Sequence, residues 1–311
     1  MAKLHAFVTT SGLYEFEWNV MPFGLTSSTS TFERLMELLL AGLRFETCLI
    51  YLDDTIVYGK TFLEELERLE EVFVRFESAR LKLKPGKCVL FQKSVAYLGH
   101  ILSERSIETD PSKVERVCEW PAPENATEVK SFLGLATYYQ RFVPSFAQVA
   151  KPLHRLTEAK IDFVWTPECQ SAFDMLKNLL STAPVLSYPD FTAEFILDSD
   201  ASNRGIGAVL SQLKDRVEHP VSYSSRSLTK AERNYCVTRK ELLAVVESVK
   251  HFRHYLHGRR FRIRTHHAPL RSVLKVKEPE AQLAKWIEFL SPFEYDIEYR
   301  EGQQHTNADA M

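Results

Sequence analysis

The sequence of 311 residues is 45% hydrophobic and 26% charged, with a formal net charge of −2. This composition is typical of a soluble globular protein with two or three domains. No apolar run approaches the about 20 residues of a membrane span, and the amino terminus lacks the apolar core of a signal peptide. Five scattered cysteines without a Cys-x-x-Cys pair exclude a disulfide framework and a zinc site, so we expect reduced thiols in an intracellular setting.

The amino-terminal residues 6–20 predict two strands around a Ser-Gly turn. Pro and Gly in residues 21–24 then interrupt the strand pattern. The Ser/Thr cluster at residues 26–28 offers N-caps for a helix that continues through Leu40. The first segment is therefore predicted to run strand, strand, loop and helix.

Residues 47–58 place two short apolar runs on either side of Asp53 and Asp54. Runs rich in Ile, Val and Tyr are typical of strands, and the aspartate pair between them predicts a tight hairpin. Adjacent carboxylates repel each other unless a cation neutralises them, and hard cations such as Mg2+ prefer carboxylate oxygens. The hairpin is either a turn with two solvated acids or a two-metal site that clamps a phosphoryl displacement.

After the hairpin, six apolar residues recur at helical spacing and predict a core-facing stripe: Leu63, Leu66, Leu69, Val72, Phe73 and Phe76. Residues 95–102 predict a pair of strands with Gly99 at the corner. Residues 111–190 are predicted to be all-helical. Their helices begin at Asp110-Pro111, at an Asn125 capping box and at Thr166-Pro167.

From Ala193 the pattern predicts three strands, then a helical region from Thr229 to about Leu256, a strand, a helix from Glu280 to Leu290 and a last strand. Three antiparallel strands followed by a helix and by further strand and helix is the element order of a ribonuclease H fold. The carboxyl-terminal part of the chain is therefore predicted to form a sheet with helices.

A second set of acids lies in this carboxyl-terminal part. Asp198 and Asp200 are two residues apart on a strand, so they are expected on one face. Glu241 lies on the following helix, where a capping box with Thr238 is an alternative role. Asp309 lies near the carboxyl end, where a lone acid is usually solvated.

The charge of the chain is unevenly distributed. Residues 223–275 contain 13 Lys and Arg against 3 Asp and Glu, whereas residues 276–311 contain 3 against 8. The basic block, residues 223–275, is either a footprint for a phosphate backbone or a solvated helix face. As a footprint, it predicts that affinity for nucleic acid falls steeply as the salt concentration rises.

Motifs in the first half of the chain resemble, in order, those of gypsy-type long-terminal-repeat retrotransposon polymerases. Residues 51–54, Tyr-Leu-Asp-Asp, resemble the Tyr-x-Asp-Asp box of reverse transcriptases. Residues 21–25 resemble the motif that contacts template and nucleotide, and residues 97–100 resemble the primer-gripping hairpin. Residues 131–142 resemble the connecting segment of these polymerases.

Motifs in the second half resemble the ribonuclease H module of the same family. They are Asp-Ala-Ser after a strand, Lys-Glu-Leu-Leu-Ala-Val-Val on a helix and Asn-Ala-Asp-Ala near the carboxyl end. This resemblance implies that Asp200, Glu241 and Asp309 carry metal. His266 stands where the family has a fourth acid. Because imidazole is largely neutral near pH 7 and prefers softer metals than Mg2+, we expect His266 to weaken the site.

The resemblance implies an α+β multidomain chain. Its predicted parts are a partial polymerase palm at 1–110, a helical thumb or connection at 111–190 and an RNase H-like α/β domain with a mixed sheet at 191–311. The implied reactions are RNA-directed DNA polymerisation at Asp53 and Asp54, and hydrolysis of RNA in RNA–DNA hybrids at the second set of acids. Each site is expected to use two Mg2+ ions, or Mn2+, with carboxylates as ligands and not as nucleophiles.

The implied partners are an RNA template, a DNA primer, an RNA–DNA hybrid, dNTP and other parts of a polyprotein, with no membrane. The expected nucleic-acid contacts lie in the motifs and in the basic block: Phe23, Gly24, Tyr51, Tyr97, Gly99, Arg226 and Arg239. The family carries another palm aspartate upstream of the segment at which this chain begins, so we expect no primer extension. The alternatives are a catalytically decayed remnant that binds nucleic acid and a structural scaffold. Turnover measured beside hybrid affinity separates them.

Overall fold

The computed structural model describes residues 6–8, 15–17, 21, 24–159, 161–274, 276 and 280–300. They form two compact units, residues 1–92 and 93–311. Helices and mixed sheets confirm the predicted α+β class. None of the described helices is both long and apolar enough to cross a membrane. The three predicted domains and their boundaries stay a prediction.

The first unit consists of two hairpins and two helices. Its elements are β1 (Ala6–Val8), β2 (Glu15–Glu17), α1 (Thr26–Leu39), β3 (Cys48–Tyr51), β4 (Asp54–Val57) and α2 (Phe62–Ser78). Strands β1 and β2 pair antiparallel, as do β3 and β4. The predicted capping of α1 is wrong, because Leu25 occupies its N-cap with no side-chain hydrogen bond. The hydroxyl groups of Ser30 and Thr31 instead donate to the carbonyl of Ser27 within the first turns.

The core of this unit lies between α1, the β3–β4 hairpin and the carboxyl-terminal half of α2. It buries Met36, Leu40, Leu43, Cys48, Val72 and Phe76. The predicted core stripe on α2 is wrong at three of its six positions, since Leu63, Leu66 and Phe73 remain 69%, 44% and 38% exposed. Periodicity showed that one face of α2 is apolar, but it could not show that only Val72 and Phe76 of the stripe would be fully buried.

The second unit begins with a small sheet and a helical layer. The elements are β5 (Ser94–Tyr97), β6 (His100–Ser103), β7 (Ser106–Thr109), α3 (Pro111–Cys118), α4 (Ala126–Tyr138), α5 (Phe146–Val149), α6 (Lys151–Arg155), α7 (Pro167–Ser181) and β8 (Leu186–Ser187). The caps predicted at Asp110, Asn125 and Thr166 are confirmed, because each side chain accepts a backbone N–H of the following turn. Strand β8 pairs with β7, so residues 111–190 are not entirely helical.

The rest of the second unit is a five-stranded sheet with helices. The elements are β9 (Phe195–Ala201), β10 (Gly205–Lys214), β11 (Val217–Ser227), α8 (Val237–His251), α9 (Arg253–Leu256), β12 (Arg260–Thr265), α10 (Leu270–Val273), α11 (Ala281–Leu290) and β13 (Glu294–Tyr299). The sheet order is β11-β10-β9-β12-β13, with β9, β10 and β11 antiparallel and β12 parallel to β9 and to β13. This confirms the predicted element order and the mixed sheet.

The core of the sheet lies against α8. Phe195 and Leu197 of β9 pack in one buried cluster with Val245 and Val249 of the helix. The predicted helix start at Thr229 is wrong, because α8 begins at Val237. The Thr229 hydroxyl instead accepts the backbone N–H of Glu232, which begins a short 3-10 turn (Glu232–Asn234), and the chain is extended at Cys236.

Candidate metal and nucleic-acid sites

The first acidic pair lies at the tip of the β3–β4 hairpin. Tyr51 pairs with Asp54, so Leu52 and Asp53 form the two-residue turn. Leu52 has a φ of 55°, a left-handed conformation that costs a residue with a Cβ atom about 1–2 kcal/mol. Both aspartates are exposed, and neither forms an ion pair with a described residue. The hairpin thus presents two adjacent carboxylates to solvent, in the arrangement that the sequence predicted.

The predicted primer-gripping hairpin joins β5 to β6 through Leu98 and Gly99, which both have positive φ. Two tyrosines of the α4 end hold this turn: Tyr138 donates to the carbonyl of Leu98, and Tyr139 donates to that of Gly99 at 2.7 Å. A Cβ atom on Gly99 would lie 3.1 Å from the Tyr139 hydroxyl. Both the backbone conformation and this close approach therefore favour glycine at position 99.

The second acidic set forms a three-residue cluster. Asp200 lies near the end of β9, Glu241 on the second turn of α8, and His266 directly after β12. The Nδ1 atom of His266 is 3.4 Å from Oδ1 of Asp200, and its Nε2 atom is 3.4 Å from Oε1 of Glu241. One ligand atom from each residue lies within 4.8 Å of the other two, which is the spacing that a single metal ion can bridge.

The sheet register places two members of this cluster together. Strands β9 and β12 are parallel, and Asp198 is opposite Arg264. Asp200 and His266 each follow this pair by two residues, so they reach the same end of the sheet. Sequence alone could not show that His266 is close to Glu241, because that contact depends on how α8 packs against the sheet.

Glu241 is the buried member of the cluster, with a side chain that is 1% exposed. Within the described part of the chain neither of its carboxylate oxygens has a hydrogen bond of ordinary geometry, and the backbone N–H of Ala201 acts on the carboxylate only weakly. Burial, and then the negative charge of Asp200, raises the pKa of Glu241 to about 8. A buried carboxylate with so little hydrogen bonding is stabilised by a cation, so the residues present fit a divalent metal ion.

Asp198 does not join this cluster. Its carboxylate accepts two hydrogen bonds from Arg264, whose guanidinium also binds Glu218. Both Asp198 and Arg264 are almost completely buried, at 1% and 7% of side-chain exposure. The sequence analysis did not predict this ion pair. Arg262 and Arg264 are two residues apart in β12, so they lie on one face of the strand, and this basic face was the only local sign that the strand needs acidic partners.

Thr238 and His267 lie beside the cluster and bind each other. The proposed capping box between Thr238 and Glu241 is wrong, because Cys236 is the N-cap of α8. The hydroxyl of Thr238 instead lies 2.9 Å from Nε2 of His267. This bond holds His267 away from the cluster that His266 joins. Asp309 and Phe23 lie outside the described residues.

Two segments of the chain match known protein families. Residues 2–102 match the family described as "Reverse transcriptase (RNA-dependent DNA polymerase)", and residues 165–263 match the "RNase H-like domain found in reverse transcriptase". The chain is 42% identical over 308 residues to the retrovirus-related Pol polyprotein from transposon 297 of Drosophila melanogaster, covering 98% of this chain and 28% of that protein. The chain belongs to the gypsy-type retrotransposon Pol family.

Other Pol relatives extend this similarity. The Pol polyprotein from Drosophila melanogaster transposon 412 is 35% identical over 98% of this chain, and the Tf2-3 polyprotein of Schizosaccharomyces pombe is 34% identical over 95%. This Pol chain spans 25% and 23% of their lengths. A foamy viral protease-reverse transcriptase solved with double-stranded DNA shares the fold, with a TM-score of 0.82 and 20% identity over 95% of this chain and 52% of that one. A foamy viral protease-reverse transcriptase solved with an RNA/DNA hybrid gives a TM-score of 0.76 and 20% identity, over 96% of this chain and 41% of that one.

Much of the charge of the basic block is neutralised within this Pol chain. Arg226 binds Glu232 and Glu247, and Arg239 binds Glu280. The three arginines of β12 bind acids of other strands, in the pairs Arg260–Asp296, Arg262–Glu194, Arg262–Glu298, Arg264–Asp198 and Arg264–Glu218. The excess of positive charge counted along the sequence is therefore larger than the excess on the folded surface.

Proposed function

We propose that this chain supplies the ribonuclease H part and a polymerase palm part of a retroelement reverse transcriptase. The ribonuclease part hydrolyses the RNA strand of an RNA–DNA hybrid at Asp200, Glu241 and His266. The observation that carries this proposal is the convergence of these three side chains at one end of a mixed sheet in a Pol chain. The proposed parts are the palm at 1–110, the connection at 111–190 and the RNase H-like domain from 191.

The families that match this chain are generally dependent on divalent metals, and Asp200, Glu241 and His266 would hold such an ion here. A bound divalent ion activates water for attack on a phosphodiester and stabilises the charge that develops on the phosphate. Glu241 would offer such an ion a buried carboxylate, neither oxygen of which has a hydrogen bond of ordinary geometry from the described residues. Asp309, the remaining proposed ligand, would add a further carboxylate.

His266 sets the metal preference that we propose for this site. Two Mg2+ ions carry four positive charges, and a histidine at the fourth ligand position removes one negative charge and one oxygen ligand. Mn2+ accepts imidazole nitrogen more readily than Mg2+ does. The proposed ribonuclease is therefore more active with Mn2+ than with Mg2+.

Templated nucleotidyl transfer is the second proposed activity of the retroelement enzyme, to which this chain contributes Asp53 and Asp54 as metal ligands but which it is not expected to perform alone. Their exposed carboxylates at the hairpin tip leave room for metal and nucleotide. The proposed ligands of the whole chain are an RNA template, a DNA primer, dNTP and the hybrid product, with the rest of a polyprotein as the covalent partner. Foamy viral reverse transcriptase, which shares the fold, has been solved with double-stranded DNA and with an RNA/DNA hybrid.

The proposed nucleic-acid contacts differ in how available they are. Gly24 and Tyr51 are exposed to solvent, whereas Tyr97 and Gly99 are half-buried and the carbonyl of Gly99 accepts a bond from Tyr139. Arg226 and Arg239 are bound to glutamates, so contact with a phosphate at either position has to displace an ion pair. We therefore propose a smaller electrostatic footprint than the sequence of the basic block indicates.

The decisive experiment measures cleavage of a labelled RNA–DNA hybrid by the parent chain with Mg2+ or Mn2+. We expect cleavage that is faster with Mn2+ and that is abolished in Asp200→Asn. Glu288→Gln, which removes an exposed acid on α11, is the matched control and should cleave as the parent does. Hybrid binding without turnover in either metal would instead support a catalytically decayed remnant.

A further inference from the structure

The start of α8 is held by contacts with other elements and not by a helix cap. Its N-cap residue makes no side-chain hydrogen bond, and its first turn contains no acid. Three consecutive side chains instead bind three different parts of the second unit. Thr238 binds the segment after β12, Arg239 binds the N-cap residue of α11, and Lys240 binds the turn between β9 and β10. Glu241, the buried member of the metal cluster, follows directly.

Lys240 is a buried cation with a neutral partner. Only 7% of the residue is exposed. Its Nζ atom donates to Oδ1 of Asn203 at 3.0 Å, and within the residues that the structure describes no acid forms an ion pair with it. A buried ammonium group without a counter-charge is costly, and an apolar side chain of similar volume is often tolerated as well or better. The stability of the fold alone therefore favours an apolar residue at position 240.

The turn that carries Asn203 is fixed by its own hydrogen bonds. The backbone N–H of Ser202 donates to the carbonyl of Gly205 at 2.9 Å. The Ser202 hydroxyl accepts the backbone N–H groups of Arg204 at 3.2 Å and of Gly205 at 3.0 Å. Asp200 lies three residues before Asn203, near the end of the strand that enters the turn. A bond that holds Asn203 therefore also holds the end of the strand that carries Asp200.

Apolar packing keeps α8 on this end of the sheet independently of Lys240. Leu243 and Ala244 of the helix form a buried cluster with Ile206 of β10 and with Leu228. Loss of the lysine bond should therefore leave the helix on the sheet but no longer fix its start against the turn. Even a small shift matters at a metal site, because metal–ligand distances tolerate deviations of only about 0.2 Å.

We propose that Lys240 is a positioning residue, which sets the distance between the carboxylates of Asp200 and Glu241 by holding Asn203. In this role it touches neither the substrate nor the metal ion. The proposal rests on the proposed function, because it takes a divalent metal ion as the ligand that needs this spacing.

The charge of Lys240 and its hydrogen bond have opposite effects on a bound cation. A positive charge beside Glu241 repels a metal ion, so removal of the charge alone would strengthen metal binding. Loss of the bond instead weakens metal binding, by the about 10–100-fold that is typical of residues that orient metal ligands. The direction of the change therefore separates the positioning role from a purely electrostatic one.

The test measures binding of Mn2+ to the full chain through the rise in melting temperature with Mn2+ concentration, beside cleavage of a labelled RNA–DNA hybrid. Asp200→Asn defines the part of the thermal response that belongs to this site. Lys240→Met replaces the ammonium group by an apolar side chain of similar length, and Asn203→Leu removes the acceptor without a change in charge. We expect each variant to raise the half-saturating Mn2+ concentration by about 10-fold or more.

The metal-free Lys240→Met chain should melt at or above the temperature of the parent, because it no longer buries an unpaired charge. The double variant should bind Mn2+ no more weakly than the single variants, because both substitutions break the same bond. Asn203→Asp keeps an acceptor for Lys240 and should bind Mn2+ at least as tightly as the parent. Lys250→Met is the matched control, since Lys250 is an exposed lysine of the same helix, and it should bind Mn2+ as the parent does.

Unchanged or tighter Mn2+ binding by either Lys240→Met or Asn203→Leu would overturn the positioning role while hybrid cleavage by the parent stands. A lower melting temperature of metal-free Lys240→Met, with the half-saturating Mn2+ concentration of the parent, would overturn it in favour of a structural role. A parent chain that binds Mn2+ at this site without cleaving the hybrid would overturn the proposed function alone. A parent whose melting temperature does not respond to Mn2+ would overturn both proposals.

Discussion

The Nε2 atom of His266 lies 3.4 Å from Oε1 of Glu241, a carboxyl group that is almost completely buried. The other ring nitrogen faces Asp200 at the same distance. The imidazole therefore bridges the two carboxylates of the site. The chemistry of this position, and not only the presence of the acids, decides which metal ion the site accepts.

We expect His266→Asp to raise Mg2+-dependent cleavage of hybrid RNA by about 10–100-fold, the effect typical of changes around metal ligands. The new carboxylate adds the oxygen ligand and the negative charge that Mg2+ prefers. The preference of the parent for Mn2+ should decrease at the same time. The measurement is the cleavage rate in each metal at saturating concentration.

His267→Asp is the control for this experiment, because His267 is bound to Thr238 and lies outside the cluster. It adds the same charge one residue away and should not restore cleavage with Mg2+. Rapid cleavage by the parent in Mg2+, with no gain in His266→Asp, would contradict the assignment of His266.

The raised pKa of Glu241 predicts a pH-dependent stability of the metal-free chain. The folded state holds this proton up to a pKa of about 8, whereas an unfolded glutamic acid loses it near 4.5. The folded state therefore binds more protons between these values, so the free energy of unfolding falls as the pH rises through that window. Below pH 4.5 the carboxyl group of Glu241 is protonated in both the folded and the unfolded state, so its burial does not lower the free energy of unfolding.

Glu241→Gln should remove this dependence. We expect it to stabilise the metal-free chain at pH 8.5 by on the order of 3 kcal/mol, and to have little effect at pH 4.5. Thermal unfolding with a chelator present measures the difference, with Glu288→Gln as the exposed control. Added Mn2+ should raise the melting temperature of the parent at pH 8.5 more than that of Glu241→Gln. A parent and variant with parallel pH profiles would contradict the burial argument.

The buried pair of Asp198 and Arg264 predicts a large loss of stability when its cation is removed. Arg264→Met leaves the carboxylates of Asp198 and Glu218 without their bidentate partner, and we expect a loss of about 3–5 kcal/mol in the free energy of unfolding. Arg260→Met removes an exposed partner of Asp296 and should cost about 0–1 kcal/mol. Urea unfolding compares the two, and equal losses would show that burial does not set the strength of these pairs.

The left-handed backbone of Leu52 predicts a stabilising substitution in the acidic hairpin. Leu52→Gly should be more stable than Leu52→Ala by about 1 kcal/mol, because glycine adopts a φ of 55° without the clash of a Cβ atom. Comparison with alanine isolates the backbone effect from the loss of the leucine side chain. Hydrogen exchange of the β3 and β4 amides reports the local stability, and a more protected alanine variant would argue against strain at this turn.

Local sequence signals determined much of the fold. The Asp53–Asp54 hairpin follows from two β-prone runs, and the helix starts at Asp110, Asn125 and Thr166 follow from side chains that cap backbone groups a few residues away. These interactions depend on neighbours in the chain, so a pattern of residue types is sufficient to predict them. The motifs of the Pol family likewise lie in short continuous segments.

Tertiary structure decided the properties that depend on residues far apart in the sequence. Only the packing of α8 on the sheet buries Glu241 against His266, and only the strand register joins Arg264 to Asp198. Desolvation and ion pairing act through space, so a charge counted along the chain does not show whether it is neutralised in the fold. For this reason the count along the sequence overestimated the positive charge that the basic block presents on the folded surface.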